Sequence, residues 1–323
     1  MKKYVWGGAG LVALVLVGFL SMLTHKPDAR AASTEVVTAN DDRLKRGKYL
    51  VRHVLVCLGC HSKRDWNHYG GPIVGHPGAG GRCLNERWGM PGRVCAPNLT
   101  PDKTSGLGLW TDGEIMRAIR EGVSKNGNAL FPMMPYEAYR HLSDGDTRAV
   151  VSYLRTLKRR ASPREQSQID FPTSYFITTL PAPLTGPVTA PEPSPSKAYG
   201  EYLSIVSGCR VCHTPTDSRH RPIPGKEFAG GSEFQSPFGT VRAPNLTPHS
   251  TGIRAWSEQR FVEYFHGFRE EKAARAVEPG KNTPMPWLEY AGMTTRDLTA
   301  LYRYLRSIPP LDNKVEVWPA GPG

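Results

Sequence analysis

Cys57-Leu58-Gly59-Cys60-His61 and Cys209-Arg210-Val211-Cys212-His213 each place two thiols three residues apart, with a histidine directly after the second. They belong to a longer self-similarity. Ala96-Pro-Asn-Leu-Thr-Pro101 returns as Ala243-Pro-Asn-Leu-Thr-Pro248, followed by Trp110 and by Trp256. Met134-Pro135-Tyr136 returns as Met285-Pro286-Trp287, and the block 139–157 aligns with 290–308, matching Asp146 with Asp297 and Tyr153 with Tyr304. This much chemistry repeated in one order is a tandem duplication. Domains are expected at 40–160 and 197–311, each of ordinary single-domain size, with a tail at 312–323.

Between the copies, 161–196 carries eight prolines and ends in Pro191-Glu-Pro-Ser-Pro195, which reads as a semi-rigid, extended linker. Within each copy, helical signals flank a loop-rich middle. Asp41-Asp42 can open a helix running to about Val56, with a counterpart over 196–207. A closing helix starts near Ser143-Asp-Gly-Asp146, with Val150, Val151, Tyr153, Leu154 and Leu157 on its apolar side. Gly47 and Gly200 occupy similar places in the opening helices but stand one residue out of register when counted from the cysteines. Each would allow a second helix to approach closely, although a bare first turn accounts for them almost as well.

C-x-x-C-H is the attachment signature of c-type haem. Two thiols about a helical turn apart can both add to one porphyrin edge, and the adjacent imidazole then lies under the iron as its proximal ligand. A four-cysteine zinc site fits poorly, because the pairs are far apart and each has its own histidine. No βαβ pattern surrounds either pair, which disfavours a thioredoxin-like dithiol. Two covalently bound haem c groups are therefore expected, on Cys57 and Cys60 with His61 as ligand, and on Cys209 and Cys212 with His213. Met134 and Met285 are the methionines that align between motif and closing helix, and each precedes a proline that stiffens the loop. They are the expected second axial ligands, and the alignment prefers Met134 over its neighbour Met133. A His/Met pair leaves no open coordination position and favours outer-sphere electron transfer over substrate chemistry.

These motifs, together with Met134-Pro-Tyr-Glu-Ala-Tyr139 and Ala149-Val-Val-Ser-Tyr-Leu-Arg155, resemble class I cytochromes c. More closely, they resemble the cytochrome c subunits of membrane-bound alcohol and gluconate dehydrogenases. The resemblance covers about 41–160 and 197–310. It implies a mainly α fold, with two tandem class I cytochrome c domains whose short helices and long loops surround covalently bound haem. It also implies that Pro97 and Pro244 offer their carbonyls to His61 and His213. Asn98, Trp110, Asn245 and Trp256 would contact haem or its propionates, although core packing explains the tryptophans equally well.

Residues 4–23 form an uncharged run that would span about 30 Å as a helix, matching a bilayer core. Lys2 and Lys3 precede it, so the rest of the chain is expected outside the cytoplasm. A signal anchor over 1–25 would place the haem domains in the periplasm at a bacterial cytoplasmic membrane. Cleavage near Ala29-Arg30-Ala31 would instead release a soluble periplasmic protein. Cys83 and Cys95 have no counterparts in the second copy, where Arg242 stands in place of Cys95. In an oxidising compartment they would form a disulfide, with free thiols as the alternative.

The chain has 33 glycines and 29 prolines in 323 residues, so it is rich in loops, and 39% hydrophobic content is a modest core supply that a haem macrocycle would complete. Lys and Arg outnumber Asp and Glu, 41 to 29, for a formal charge of +12, which in this compartment favours acidic redox partners or anionic lipid over nucleic acid. The expected role is an electron carrier of a respiratory chain and not an enzyme. A dehydrogenase would be the donor, and a terminal oxidase or soluble cytochrome the acceptor. A dihaem peroxidase-like enzyme would need one open haem, and a haem sensor or assembly subunit would bind carbon monoxide rapidly.

Overall fold

The computed structural model describes residues 21–22, 24–163, 165–218, 221–269, 277 and 280–319. The apolar run 4–23 lies outside them except for residues 21 and 22. Among the described residues no helix is long and apolar enough to cross a membrane.

Helix α1 (Asp41–Tyr49) opens on the Asn40 side chain, which accepts from the Arg43 amide, and carries Asp41 and Asp42 in its first turn. Both features satisfy or complement the helix N-terminus. The chain continues as a π-helical turn, Leu50–Val54, in which the Leu55 amide reaches back to the Leu50 carbonyl. Next come α2 (Cys57–Cys60), the hairpin β1 (Arg82–Leu84) and β2 (Gly92–Ala96), α3 (Asp112–Glu121), α4 (Tyr136–Tyr139) and the closing helix α5 (Asp144–Arg155). Thr111 and Glu114 form a capping box on α3, and Ser143 caps α5.

The second half repeats the plan. It has an opening helix α7 (Lys197–Val206), α8 (Cys209–His213), the hairpin β4 (Glu233–Ser236) and β5 (Gly239–Arg242), α9 (Glu258–His266), α10 (Trp287–Tyr290) and a closing helix α11 (Thr295–Leu305). In each half the opening and closing helices cross with backbones in contact. A Cβ on Gly47 would stand 1.9 Å from the Ala149 carbonyl oxygen, and one on Gly200 would stand 1.9 Å from that of Ala300. Both glycines are therefore there for close approach. The π turn explains their register: ten steps separate Gly47 from Cys57 and nine separate Gly200 from Cys209. A single wide turn absorbs the extra residue in an otherwise regular helix.

The first hairpin is joined by the Cys83–Cys95 disulfide, with these residues directly opposite in the ladder. In the second hairpin Glu233 faces Arg242, and the two form an ion pair of 3.1 Å. A charge pair thus occupies the rung that holds the covalent link in the first copy. The proline-rich segment is no free spacer. Its β3 (Gln168–Ile169) pairs with β2, α6 (Thr173–Phe176) follows, and the Asp144 amide donates to the Val188 carbonyl. Proline lacks a donor but keeps its acceptor, and Arg140 uses the Pro183 carbonyl.

The halves meet reciprocally, as in an isologous contact. Tyr49 of α1 donates to Asp297 of α11, and Tyr202 of α7 donates to Asp146 of α5, both at 2.7 Å. Each hydroxyl also accepts the amide of the residue capping that helix, Thr294 at 3.2 Å and Ser143 at 3.3 Å. Arg46 and Tyr199, the residues just before the two contact glycines, touch one another at 3.2 Å.

Candidate functional site

Each C-x-x-C-H motif starts a short helix after a residue in left-handed conformation, Val56 at φ 55° and Gly208 at φ 79°. That turn breaks the chain away from the opening helix. Gly208 accommodates it freely, whereas the β-branched Val56 does so only because its surroundings hold it there. The hydroxyl of Tyr139 donates to the Leu55 carbonyl at 2.5 Å, and that of Tyr290 donates to the Ser207 carbonyl. These buried tyrosines pin the same joint in both copies.

His61 and His213 are buried. Their Nδ1 atoms lie 2.8 Å from the carbonyl oxygens of Pro97 and Pro244. A carbonyl can only accept, so each Nδ1–H donates and the Nε2 lone pair stays available. Burial lowers both imidazole pKa values below the ordinary histidine range, against the opposing pull of the proline carbonyls. The rings are therefore neutral and oriented, as a metal-ligating imidazole must be.

The proline segments are held by glycines that the motif comparison passed over. The Gly80 and Gly230 amides donate to the His61 and His213 carbonyls, both at 2.8 Å. A Cβ on Gly80 would stand 2.9 Å from the Pro97 carbonyl carbon, and one on Gly230 would stand 2.5 Å from that of Pro244. Both have φ near 75°, where glycine alone is unstrained. Their signal in the sequence is the pair Gly80-Gly81, repeated as Gly230-Gly231 upstream of each Ala-Pro-Asn-Leu-Thr-Pro segment.

Asn98 and Asn245 tie loops together. Asn98 donates to the Arg160 carbonyl at 2.7 Å and accepts the Thr100 amide, while Asn245 donates to the Leu311 carbonyl at 2.8 Å and accepts the Thr247 amide. Trp110 and Trp256 flank the apolar core. Trp256 meets the rings of Phe261 and Tyr264 edge-on, with the Arg260 guanidinium 4.6 Å from its own ring.

Met134 and Met285 are half-buried against the core, whereas Met133 is 40% exposed. Both sit in the same tight turn. Pro135 has φ −80° and ψ 54°, Pro286 has φ −80° and ψ 60°, and the next amide donates back to the methionine carbonyl at 2.7 and 2.8 Å. This inverse γ-turn fixes the thioether-bearing residue ahead of a rigid ring.

The halves also share their sites. Arg64, three residues after His61, makes an almost fully buried ion pair of 2.8 Å with Glu289, four residues after Met285. His53 Nδ1 donates to the Glu289 carbonyl at 2.9 Å. Burial pushes the Cys57 and Cys212 thiols up to about 12. For Cys212 the neighbouring Cys209 and the other copy's Cys60 add to the effect. Arg82 lies 3.8 Å from the Cys60 sulfur, and its guanidinium is 5.2 Å from the Trp66 ring.

The donor set fits haem c in both halves: two adjacent thiols, a neutral imidazole with a free Nε2, and a thioether fixed by a proline turn. No protein-family model matches the chain. The fructose dehydrogenase cytochrome subunit of Gluconobacter japonicus is 31% identical over 300 residues, which cover 89% of this chain and 57% of that protein. The gluconate 2-dehydrogenase cytochrome c subunit of Pantoea cypripedii is 31% identical over 291 residues, covering 85% of this chain and 61% of that one. The dihaem cytochrome c-type protein of Cereibacter sphaeroides is 26% identical over 265 residues, covering 79% and 83%. The chain thus spans about three-fifths of the length of these two dehydrogenase cytochrome subunits. Its homologues are cytochrome c subunits of fructose, alcohol and gluconate dehydrogenases and a dihaem cytochrome c.

Proposed function

We propose that the chain is a two-centre electron carrier. Cys57 and Cys60 would bind one haem c with His61 and Met134 as axial ligands, and Cys209 and Cys212 would bind a second with His213 and Met285. Haem c held this way supplies a one-electron ferric/ferrous couple with a raised potential. The observation that carries the reading is the duplicated His–proline carbonyl bond, 2.8 Å in both copies, which sets one tautomer and one ring orientation at each site. Pro97 and Pro244 hold the rings, and the Met–Pro turns fix the backbone carrying the thioethers that would complete each ligand set. The buried Arg64–Glu289 pair joins the halves, which favours transfer between centres inside one chain.

The names of the relatives support a dehydrogenase as electron donor. A terminal oxidase or soluble cytochrome would be the acceptor. The charge of +12 suits acidic partners. The run 4–23, preceded by Lys2 and Lys3, would hold the chain at the outer face of the cytoplasmic membrane.

Met134→His and Met285→His test the site. Each should lower the potential of one centre and abolish its near-infrared methionine–iron band, leaving the other centre unchanged. A spectrum unaffected by either substitution would overturn the ligand assignment. Haem quantification should give two per chain, and a dehydrogenase recovered on affinity purification from membranes would identify the donor.

A further inference from the structure

We propose that the turn 171–180 rests on the lipid surface beside the apolar run 4–23, so that the first half is held to the membrane at two points. The inference rests on the reading of 4–23 as a membrane anchor. The turn presents large apolar side chains outward: Phe171 is 53% exposed, Phe176 56% and Leu180 42%. It is also firmly held from both sides. Upstream, β3 pairs with β2, and the Asp170 amide donates to the Pro91 carbonyl at 3.2 Å. Downstream, Arg140 donates to the carbonyls of Ala182 and Pro183 at 3.4 and 3.5 Å.

The link to the membrane is His25. Its Nδ1 lies 2.9 Å from the Thr178 hydroxyl, and its ring meets Tyr175 edge-on at 5.7 Å. His25 is two residues beyond the end of the apolar run, so at most about 7 Å of chain separates them. The polar layer on each side of a bilayer is roughly 5–8 Å deep. A side chain gripped by Tyr175 and Thr178 therefore puts the turn at headgroup depth, where aromatic residues with one polar end are favoured. Next in the chain, exposed Lys26 reaches the Asn128 side chain at 2.5 Å, a cation three residues beyond the apolar run that anionic lipid would attract. Residues 30–37 then follow the first half, through Arg30 to Glu121, Glu35 to Arg148 and the Val37 amide to Asp112.

The test uses the full haem-loaded chain in nanodiscs of phosphatidylcholine with a minority of phosphatidylglycerol, including a diazirine-bearing phospholipid. After photolysis, adducts are mapped by mass spectrometry. Lipid adducts are expected within both 4–23 and 171–180. The double variant Phe176→Ser/Leu180→Ser changes only exposed positions and should lower the yield on the turn roughly tenfold, as loss of a buried apolar side chain implies, while adducts on 4–23 persist. Full labelling of 4–23 with a bare turn would overturn the proposal and leave the anchor standing. Turn labelling indifferent to the double variant would overturn it as well. A chain that neither stays in the disc nor acquires adducts on 4–23 would refute the anchor and the proposal together.

Discussion

Replacing Tyr49 and Tyr202 with phenylalanine removes two oxygen atoms from a chain of 323 residues and should uncouple its halves. Each hydroxyl donates at 2.7 Å to a carboxylate across the junction and accepts the amide of the residue that caps the same helix. A hydrogen bond to a charged partner is worth about 1.5–3 kcal/mol. The two losses are unequal. The Asp146 carboxylate keeps both bonds from Arg46, at 2.8 and 2.7 Å, whereas the carboxylate of the fully buried Asp297 keeps the Arg296 bond at 2.9 Å. Tyr49→Phe should therefore cost about 3 kcal/mol and Tyr202→Phe about 2 kcal/mol. These bonds run between halves, so the loss falls on docking more than on either core, and about 5 kcal/mol is a factor of several thousand in that equilibrium. Denaturant unfolding of the haem-loaded chain, followed by far-ultraviolet dichroism and haem absorbance, should show one transition in the parent and two in the double variant. A single transition with an unchanged midpoint would refute the reciprocal contact as the lock between the halves.

Gly200→Ala would drive a methyl to 1.9 Å from the Ala300 carbonyl and should destabilise by about 3 kcal/mol or more, seen as a lowered thermal midpoint with early loss of the second half. Cys83→Ser/Cys95→Ser should cost about 3 kcal/mol of stability, measured by urea titration, and should leave the second hairpin untouched. At high pH the buried tyrosines act together. Burial pushes Tyr136 up to about 12 and Tyr49 and Tyr202 higher still, with Asp297 and Asp146 adding to the latter two. Folded values above the unfolded 10 mean a contribution fully present below pH 10 and lost as the pH rises through the folded values, so midpoints should fall from pH 10 upward, less steeply in the double phenylalanine variant. At low pH Asp102 behaves oppositely. The Ser105 amide, then Arg159, hold it at about 2 against an ordinary 3.8. Its contribution is present above pH 4 and fades as the pH falls toward 2, and Asp102→Asn should flatten that part of the stability profile.

The repeat made much of this legible, because it compares the chain with itself. Two C-x-x-C-H motifs, two Met-Pro turns and two Ala-Pro-Asn-Leu-Thr-Pro segments name the chemistry before any fold is known. The Gly47 and Gly200 offset was visible but ambiguous. One extra residue can widen a helix turn or lengthen a loop, and choosing between them required the Leu50–Val54 π turn. The 161–196 segment misled through composition. Its prolines favour extended backbone, and that backbone offers carbonyls that the first half uses and a strand that it pairs with β2. Contacts between halves were hidden for another reason. Asp146 and Asp297 sit three residues after a serine and a threonine, where an acidic residue already has a local explanation as a helix-start feature, so nothing in the sequence directed them toward a distant tyrosine.

Sorting the features by whether they recur in both copies separates two physical tasks. The recurring features that stay within a half surround one site: the His–proline carbonyl bond, the glycine that lets that carbonyl approach, the proline turn after methionine, and the tyrosine pinning the chain before the cysteines. Each is a constraint that one pocket must meet by itself, so each half meets it. Features that join the halves recur only where the contact is symmetric, as the Tyr49–Asp297 and Tyr202–Asp146 bonds are; the Arg64–Glu289 pair does not recur. Arg64 and Glu289 have Thr216 and Ala138 at the corresponding places, and Gly59, where a Cβ would stand 2.8 Å from Glu289, has the exposed Val211. An ion pair between halves needs only one cation and one anion, and a second copy would bury two more charges at a further desolvation penalty. The disulfide in one hairpin and the Glu233–Arg242 pair in the other hold the same ladder rung by different means, which marks the rung as the requirement and the bond type as free to differ. A substitution at a recurring position around one site should thus perturb one centre in its own half, whereas one at Arg64 or Glu289 should alter the relation between centres and leave each axial ligand set in place.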